Sequence, residues 1–197
     1  MAPADPEHRR RRADAERSVA SILDAAVASL AVSPDASMTE IARAAGVGRV
    51  TLYGHFASRD ELRHAAIAHV VDHVQAAFDA LALDDLPPAE ALEQMLQTSW
   101  RVIERHRAFF VAVMHGPDHE AMHRHQTMFE RIERIVARGQ DQGVFRTDLD
   151  RQWLVAVCVG LVHAAALYAD TGQTSSEHAM AALLTTVRAA YRPDPTP

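Results

Sequence analysis

Ser37-Met-Thr-Glu-Ile-Ala-Arg-Ala-Ala-Gly-Val-Gly-Arg-Val-Thr-Leu-Tyr-Gly-His-Phe56 is the stretch of sequence that decides the fold. It predicts a short helix, a tight glycine turn, and a second short helix that ends in aromatic residues. Ser37 and Glu40 have the spacing of a capping box, which begins a helix by satisfying its first backbone N–H groups. Gly46 ends that helix, because a positive φ is cheap only for glycine. This order of elements is typical of a helix-turn-helix, and it favours DNA reading.

The second helix, predicted over roughly Arg49 to His55, carries the side chains that we expect to face DNA. Three apolar residues have the spacing of an inward-packing face: Ile41, Val47 and Leu52. Arg49 is placed to reach base edges, and arginine on guanine O6 and N7 is the commonest specific contact in the major groove. Hydroxyl and imidazole groups on the outer face are expected to bind phosphates: Thr51, Tyr53 and His55. Arg59 is expected to pair with a phosphate by charge.

Charge is distributed unevenly over the 197 residues, whose formal net charge is −6. Residues 1–63 hold nine Arg and nine acidic residues, whereas the other 134 residues hold eleven Arg and seventeen acidic residues. An acidic body joined to a locally basic end is typical of a nucleic-acid reader with a separate regulatory body. The single cysteine, Cys158, lacks a partner for an intrachain disulfide, so we expect a cytoplasmic protein.

Helical periodicity and capping signals continue along the chain, and no segment has the alternation of a strand. We predict an all-α protein of about nine helices. A disordered arm (1–16) that includes Arg9 to Arg12 precedes a helix-turn-helix domain (17–63). A second capping box at Ser58 opens a long helix, which connects that domain to a larger helical ligand-binding and dimerisation domain (64–192). A short disordered tail (193–197) ends the chain.

Over about Ser18 to Ile67, the sequence resembles the DNA-binding domain of TetR-family (tetracycline-repressor-like) transcriptional regulators. The residues that carry the resemblance are Ile41-Ala42, Ala45-Gly46-Val47, Thr51-Leu52-Tyr53, His55-Phe56 and Leu62. Gly143-Val-Phe-Arg-Thr-Asp-Leu-Asp150 also resembles the turn that often precedes the last two helices in this family. The resemblance implies an N-terminal three-helix domain, a divergent helical ligand-binding domain, and a homodimer on a palindromic operator.

The resemblance also implies which residues lie at the DNA. Carried onto matching positions, the DNA contacts fall on Thr39, Gly48, Arg49, Val50, Thr51, Tyr53, His55 and Arg59, with the arm Arg9 to Arg12 as a further contact. Gly48 stands where a serine often caps the second helix, so one side-chain contact is absent there. Arg59 stands where a lysine is common, which keeps the positive charge.

Methionine and aromatic residues between Leu62 and Gly143 have two interpretations. At helical spacing they are typical of a core, but together they also suit an adaptable apolar cavity. As cavity walls we select Trp100, Phe110, Met114, Met122 and Phe129. In the His-rich run from His115 to His125, His119 and His123 are four apart on one predicted helix, a spacing that is able to share a metal. A solvated polar face is the favoured interpretation of that run, and no metal or other cofactor is expected.

The stretch from Arg151 to Ala169 is apolar on nearly all sides, and its small residues allow a partner helix to approach closely. With the amphipathic helix after it, it predicts a homodimer through the last two helices; a monomeric core helix is the alternative. We do not expect a membrane span, because the apolar run is short and contains His163.

The function predicted from these features is a small-molecule-responsive repressor that binds DNA. The sequence has no Gly-rich phosphate loop and no G-x-S-x-G motif, so we do not expect an enzyme. A DNA-binding protein without a ligand, or a His-rich metal-dependent protein, remain as alternatives.

Overall fold

The computed structural model describes residues 6–115 and 126–193. Over these ranges the chain forms nine α-helices and no strand, so the all-α prediction is confirmed. The helices in chain order are α1 (Pro6–Val32), α2 (Met38–Ala44), α3 (Arg49–His55), α4 (Arg59–Asp79), α5 (Pro88–Arg105), α6 (Arg107–His115), α7 (Gln126–Asp141), α8 (Arg151–Asp170) and α9 (Ser176–Tyr191).

The chain divides into two compact units, the first ending at Val70 and the second beginning at Val71. This division lies inside α4, a few residues after the boundary of 63 and 64 that we predict from the sequence. A single helix therefore runs from the first unit into the second.

The first unit has a core built from one face of each helix. The predicted apolar face of α1 is buried: Ile22, Leu23, Ala26, Val27 and Leu30. Ile41 of α2 and Leu52 of α3 are almost completely inaccessible to solvent, as their spacing predicts, whereas Val47 is only half-buried. Leu62 and Ala66 close the core from α4.

The start of α1 differs from the prediction. Helix α1 begins at Pro6, so residues 6–16 are helical, although the sequence led us to expect a disordered arm up to residue 16. Proline suits the first position of a helix, and Arg, Ala and Glu, which are common in this segment, are strong helix formers. Intrinsic propensity explains the extension, since these residues have no apolar period.

The second unit packs α8 against α9, α7 and α6, and α5 against α7 and α9. At its centre the Tyr191 hydroxyl donates to the backbone carbonyl of Leu154 at 2.6 Å. Cys158 is buried beside it, and this burial raises the pKa of the thiol to about 12. A thiol in this state is a packing group, because the thiolate is the reactive form.

The Gly143–Asp150 turn leads from α7 to α8 and contacts the end of α9. Phe145 is buried and meets the Tyr191 ring edge-on, with the ring centroids 5.2 Å apart. The Arg146 backbone N–H donates to the carbonyl of Tyr191 at 3.0 Å. The turn therefore helps to hold the last helix in place.

Candidate DNA-binding and effector sites

The turn between α2 and α3 has the geometry that its glycine predicts. Ser37 accepts a hydrogen bond from the Glu40 backbone N–H, and the Glu40 carboxylate accepts one from the Ser37 N–H at 2.8 Å, which completes the capping box. At the other end, Gly46 has φ of +69°. Gly46 N–H donates to Arg43 and Val47 N–H donates to Ala42, the two hydrogen bonds of a Schellman motif.

Helix α3 begins at Arg49 and ends at His55, as predicted, and only Leu52 of its seven residues is buried. Five of the residues predicted at the DNA lie exposed on this helix: Arg49, Val50, Thr51, Tyr53 and His55. Gly48 caps the helix with its backbone alone. Thr39 is exposed on the first turn of α2. With one buried anchor, the helix leaves most of its surface available to a partner.

Two side chains of α3 have unusual surroundings. Val50 is 88% exposed, although its side chain is large and apolar. The guanidinium carbon of Arg49 lies 5.6 Å from the centroid of the Tyr53 ring, within the range of a cation–π contact. The i,i+4 spacing of the two residues permits this contact, but the sequence analysis did not identify it.

Arg59 differs from its predicted environment. Its Nε donates to the backbone carbonyl of Ala36 at 3.0 Å, one NH2 group donates to the carbonyl of Pro34, and Asp35 lies 3.8 Å away. The guanidinium is half-buried and holds the α1–α2 loop. A phosphate contact therefore has to share this group with the loop.

The start of α4 is capped differently from the predicted box. Ser58 Oγ accepts from the Glu61 N–H at 3.1 Å, as in a capping box. The Glu61 carboxylate, however, accepts from the N–H of Ala57 at 2.7 Å, one residue before the expected partner. The backbone N–H groups of Ala57 and Glu61 are therefore both hydrogen-bonded.

The residues selected as effector-cavity walls have different environments. Trp100 is buried in the core, and its indole N–H donates to Ser176 Oγ at 3.0 Å, which fastens α5 to α9. Phe110 and Phe129 are half-buried at the edge of the core. The side chain of Met114, and Met122 as a whole, lie outside the described residues.

Phe110 has a neighbour that the sequence analysis did not assign to this site. The His163 ring of α8 lies 5.5 Å from the Phe110 ring, between centroids. Burial lowers the pKa of His163 below its usual value of 6.5, which favours the neutral imidazole. The two rings, one on α6 and one on α8, therefore contact each other with the imidazole in its neutral form.

Within residues 6–115 and 126–193, no group of three or more His, Cys, Asp or Glu side chains is arranged to hold a metal ion. The His119 and His123 pair lies outside the described residues, as do Glu120 and His125 and the side chain of His115. Metal binding by that run stays untested.

Helix α8 is less buried than its composition predicts. It is the one helix of the described ranges that is long and apolar enough to cross a membrane by length and composition alone, a property shared by core helices of soluble proteins. Only 28% of its most apolar 18-residue window is buried. One face packs on the core, and the other carries exposed residues at helical spacing: Trp153, Gly160, Ala164 and Tyr168. We call this face the α8 stripe.

Two family models match the chain. Residues 22–66 match the model described as bacterial regulatory proteins, tetR family, and residues 88–188 match the model described as tetracyclin repressor-like, C-terminal domain. The first range contains the helix-turn-helix, and the second contains α5 to α8 and most of α9.

Two relatives of known role are similar to parts of the chain. The HTH-type transcriptional regulator NfxB of Pseudomonas aeruginosa is 28% identical over 134 residues, which cover 66% of this chain and 71% of NfxB. The HTH-type transcriptional repressor LfrR of Mycolicibacterium smegmatis is 37% identical over 83 residues, or 42% of this chain and 44% of LfrR.

Solved structures share the fold. The Mycobacterium smegmatis LfrR structure in complex with proflavine has a TM-score of 0.67 at 24% identity, covering 89% of this chain and 96% of that chain. The Bacillus subtilis regulator FadR in complex with stearoyl-CoA has a TM-score of 0.74 at 13% identity, covering 87% and 98% of the respective chains. At these identities the comparison establishes the architecture alone.

Proposed function

The chain belongs to the TetR family of bacterial regulatory proteins, and from this premise we propose that it is a repressor released by a small molecule. It binds a palindromic operator in the cytoplasm as a homodimer. The observation that carries the proposal is α3, a short helix with one buried anchor and an otherwise exposed surface. Such a helix gains a covered face when it enters the major groove.

The contacts on DNA follow from the chemistry of each side chain. Arg49 binds guanine through O6 and N7, and Val50 contacts the methyl group of thymine. Hydroxyl and imidazole groups bind phosphates: Thr39, Thr51, Tyr53 and His55. Gly48 contributes only its backbone. Arg59 acts mainly through the Pro34–Ala36 loop, which it holds beside the start of α2.

The α8 stripe supports the homodimer. An apolar face that includes Trp153, 56% exposed, and Tyr168, 44% exposed, is costly in water and gains free energy when covered. Gly160 and Ala164 between them allow a second helix to approach closely. Together with α9, two copies of α8 form a four-helix interface.

Repression and release follow from linkage. Two recognition helices read successive major grooves when their centres lie about 34–36 Å apart. A ligand that binds more tightly to a dimer with another spacing lowers operator affinity. The decrease is limited by the difference between the free energies with which the ligand binds the two dimer states. Because α4 runs from one unit into the other, it connects the effector region to the DNA-binding helices.

The effector is an aromatic compound that contacts Phe110 and the neutral ring of His163. Two observations support this class: the paired rings at 5.5 Å, and the proflavine complex of the similar protein LfrR. Phe129 remains a proposed wall of the effector site, whereas Trp100 packs in the core.

Proflavine serves as the probe of this effector class. We expect proflavine to lower operator affinity in the wild type, and to lower it less in Phe110→Leu. Unchanged operator affinity at saturating proflavine would exclude this effector class.

Operator binding is tested by selecting duplexes from a random pool with the full-length chain. We expect enrichment of a palindrome whose half-sites are centred about 10 base pairs, or a multiple of that, apart. Arg49→Ala, which removes the proposed base reader, serves as the matched control and should enrich a less specific set. If folded wild-type protein enriches no sequence, the proposed function is wrong.

A further inference from the structure

The contact between Arg49 and Tyr53 points to a role for the tyrosine ring that is separate from its hydroxyl. We infer that the ring of Tyr53 is a positioning group, which holds the guanidinium of Arg49 in the orientation that reads guanine. The inference rests on the proposed DNA-binding function and specifies how one base pair of the operator is selected.

The local geometry leaves Tyr53 as the neighbour able to hold Arg49. Residues three and four positions along a helix face each other, and for Arg49 these are Leu52 and Tyr53. Leu52 is buried in the core, whereas Tyr53 is 44% exposed on the same surface as Arg49. The guanidinium carbon lies 5.6 Å from the ring centroid, which is a cation–π distance.

Among the described residues, no acidic side chain competes with the Tyr53 ring for the guanidinium of Arg49. Helix α3 contains no acidic residue, and no carboxylate of the described residues forms an ion pair with Arg49. The ring therefore restrains the guanidinium without neutralising it. A restrained cation that keeps its full charge and its hydrogen-bond donors is suited to bind the edge of a base.

Restraining the guanidinium of Arg49 affects specificity, because arginine recognises guanine through a planar group with a fixed geometry. Arginine presents two parallel N–H groups to O6 and N7, and this geometry distinguishes guanine from adenine. A free arginine side chain samples many rotamers, and ordering them opposes binding. A ring that selects the useful rotamers before binding lowers this cost for the guanine contact only.

The ring and the hydroxyl of Tyr53 therefore have different effects on binding. In the described residues the hydroxyl has no hydrogen-bond partner, which leaves it available for a phosphate. Removing a phosphate contact weakens binding to all sequences about equally, whereas removing the restraint on Arg49 weakens binding chiefly to sequences with guanine.

Tyr53→Phe and Tyr53→Leu separate the two effects. Affinities of the full-length protein are measured for the selected operator and for duplexes in which the guanine read by Arg49 is replaced by adenine. We expect Tyr53→Phe to lower both affinities and to keep their ratio. Tyr53→Leu should lower the ratio by about two- to five-fold, the size of an exposed cation–π contact.

Arg49→Ala supplies the control for a purely structural effect of the leucine. If the ring acts through Arg49, Tyr53→Leu should leave the guanine-to-adenine ratio unchanged when Arg49 is already alanine. Equal ratios in wild type and Tyr53→Leu, or a ratio that falls equally in both backgrounds, would overturn the inference. Absence of any enriched operator would instead overturn the proposed function, and the inference with it.

Discussion

Gly139 lies near the end of α7 at a place where no side chain fits. A Cβ added to it would lie closer than 3.0 Å to three atoms of the Phe145 ring, which is buried against Tyr191. We expect Gly139→Ala to lower the free energy of unfolding by about 1–3 kcal/mol, because overpacking displaces the ring. Urea denaturation measures this. Gly54→Ala is the control, since a Cβ at that helical glycine meets nothing within 4 Å and should stabilise the chain slightly.

The buried imidazole of His163 makes the free energy of unfolding depend on pH. Burial lowers the pKa of its folded form below 6.5, so the unfolded chain takes up a proton first as the pH falls. The free energy of unfolding should therefore fall below about pH 6.5, by at most about 1.4 kcal/mol per pH unit for this group. The decrease should end once the pH is below the folded pKa.

Replacing the imidazole tests that account. His163→Asn should flatten the pH dependence of the urea midpoint between pH 7 and 5.5, whereas His178→Asn, at an exposed position, serves as the control. An unchanged pH dependence in His163→Asn would show that other groups cause it.

At the scale of elements, the Ser37 capping box sets where α2 begins. Ser37→Ala removes the acceptor for the Glu40 N–H and should destabilise α2 by about 1 kcal/mol. Hydrogen exchange of the amides in α2 measures this locally. Thr39→Ala changes an exposed residue in the same turn, so faster exchange of similar size in Thr39→Ala would argue against the cap as the cause.

The sequence predicts best those elements whose ends are marked by nearby capping and turn residues. The bounds of α3 follow from Gly46 before it and from apolar Leu52 and Phe56, all within a few residues. The start of α1 was missed because its charged residues lack an apolar period, and only propensity makes them helical.

Contacts between residues far apart in the chain are what the sequence does not reveal. Arg59 holds carbonyls of Pro34 and Ala36, more than twenty positions earlier, and a motif match reports only its charge. Trp100 bonds Ser176, 76 positions later, and helical spacing alone does not distinguish a core tryptophan from the wall of a cavity. The contact between the rings of Phe110 and His163 is likewise a tertiary contact, which no local pattern encodes.

At the scale of the whole molecule, the α8 stripe should decide the oligomeric state. Trp153→Glu places a charge at an exposed residue of the stripe and should weaken dimerisation by at least about 30-fold, the loss of more than 2 kcal/mol typical of an interface tryptophan. Sedimentation at several concentrations measures the dissociation constant. Gln152→Glu adds the same charge one residue away from the stripe and should remain dimeric; equal dissociation constants for both variants would contradict the assignment.

The central claim, that two copies of this chain read two halves of one operator, is tested most directly by the mass of the complex on a selected duplex. Light scattering should give two chains per duplex, and scrambling either half-site should abolish the stable complex. One chain per duplex, or a complex that persists when one half-site is scrambled, would contradict the account.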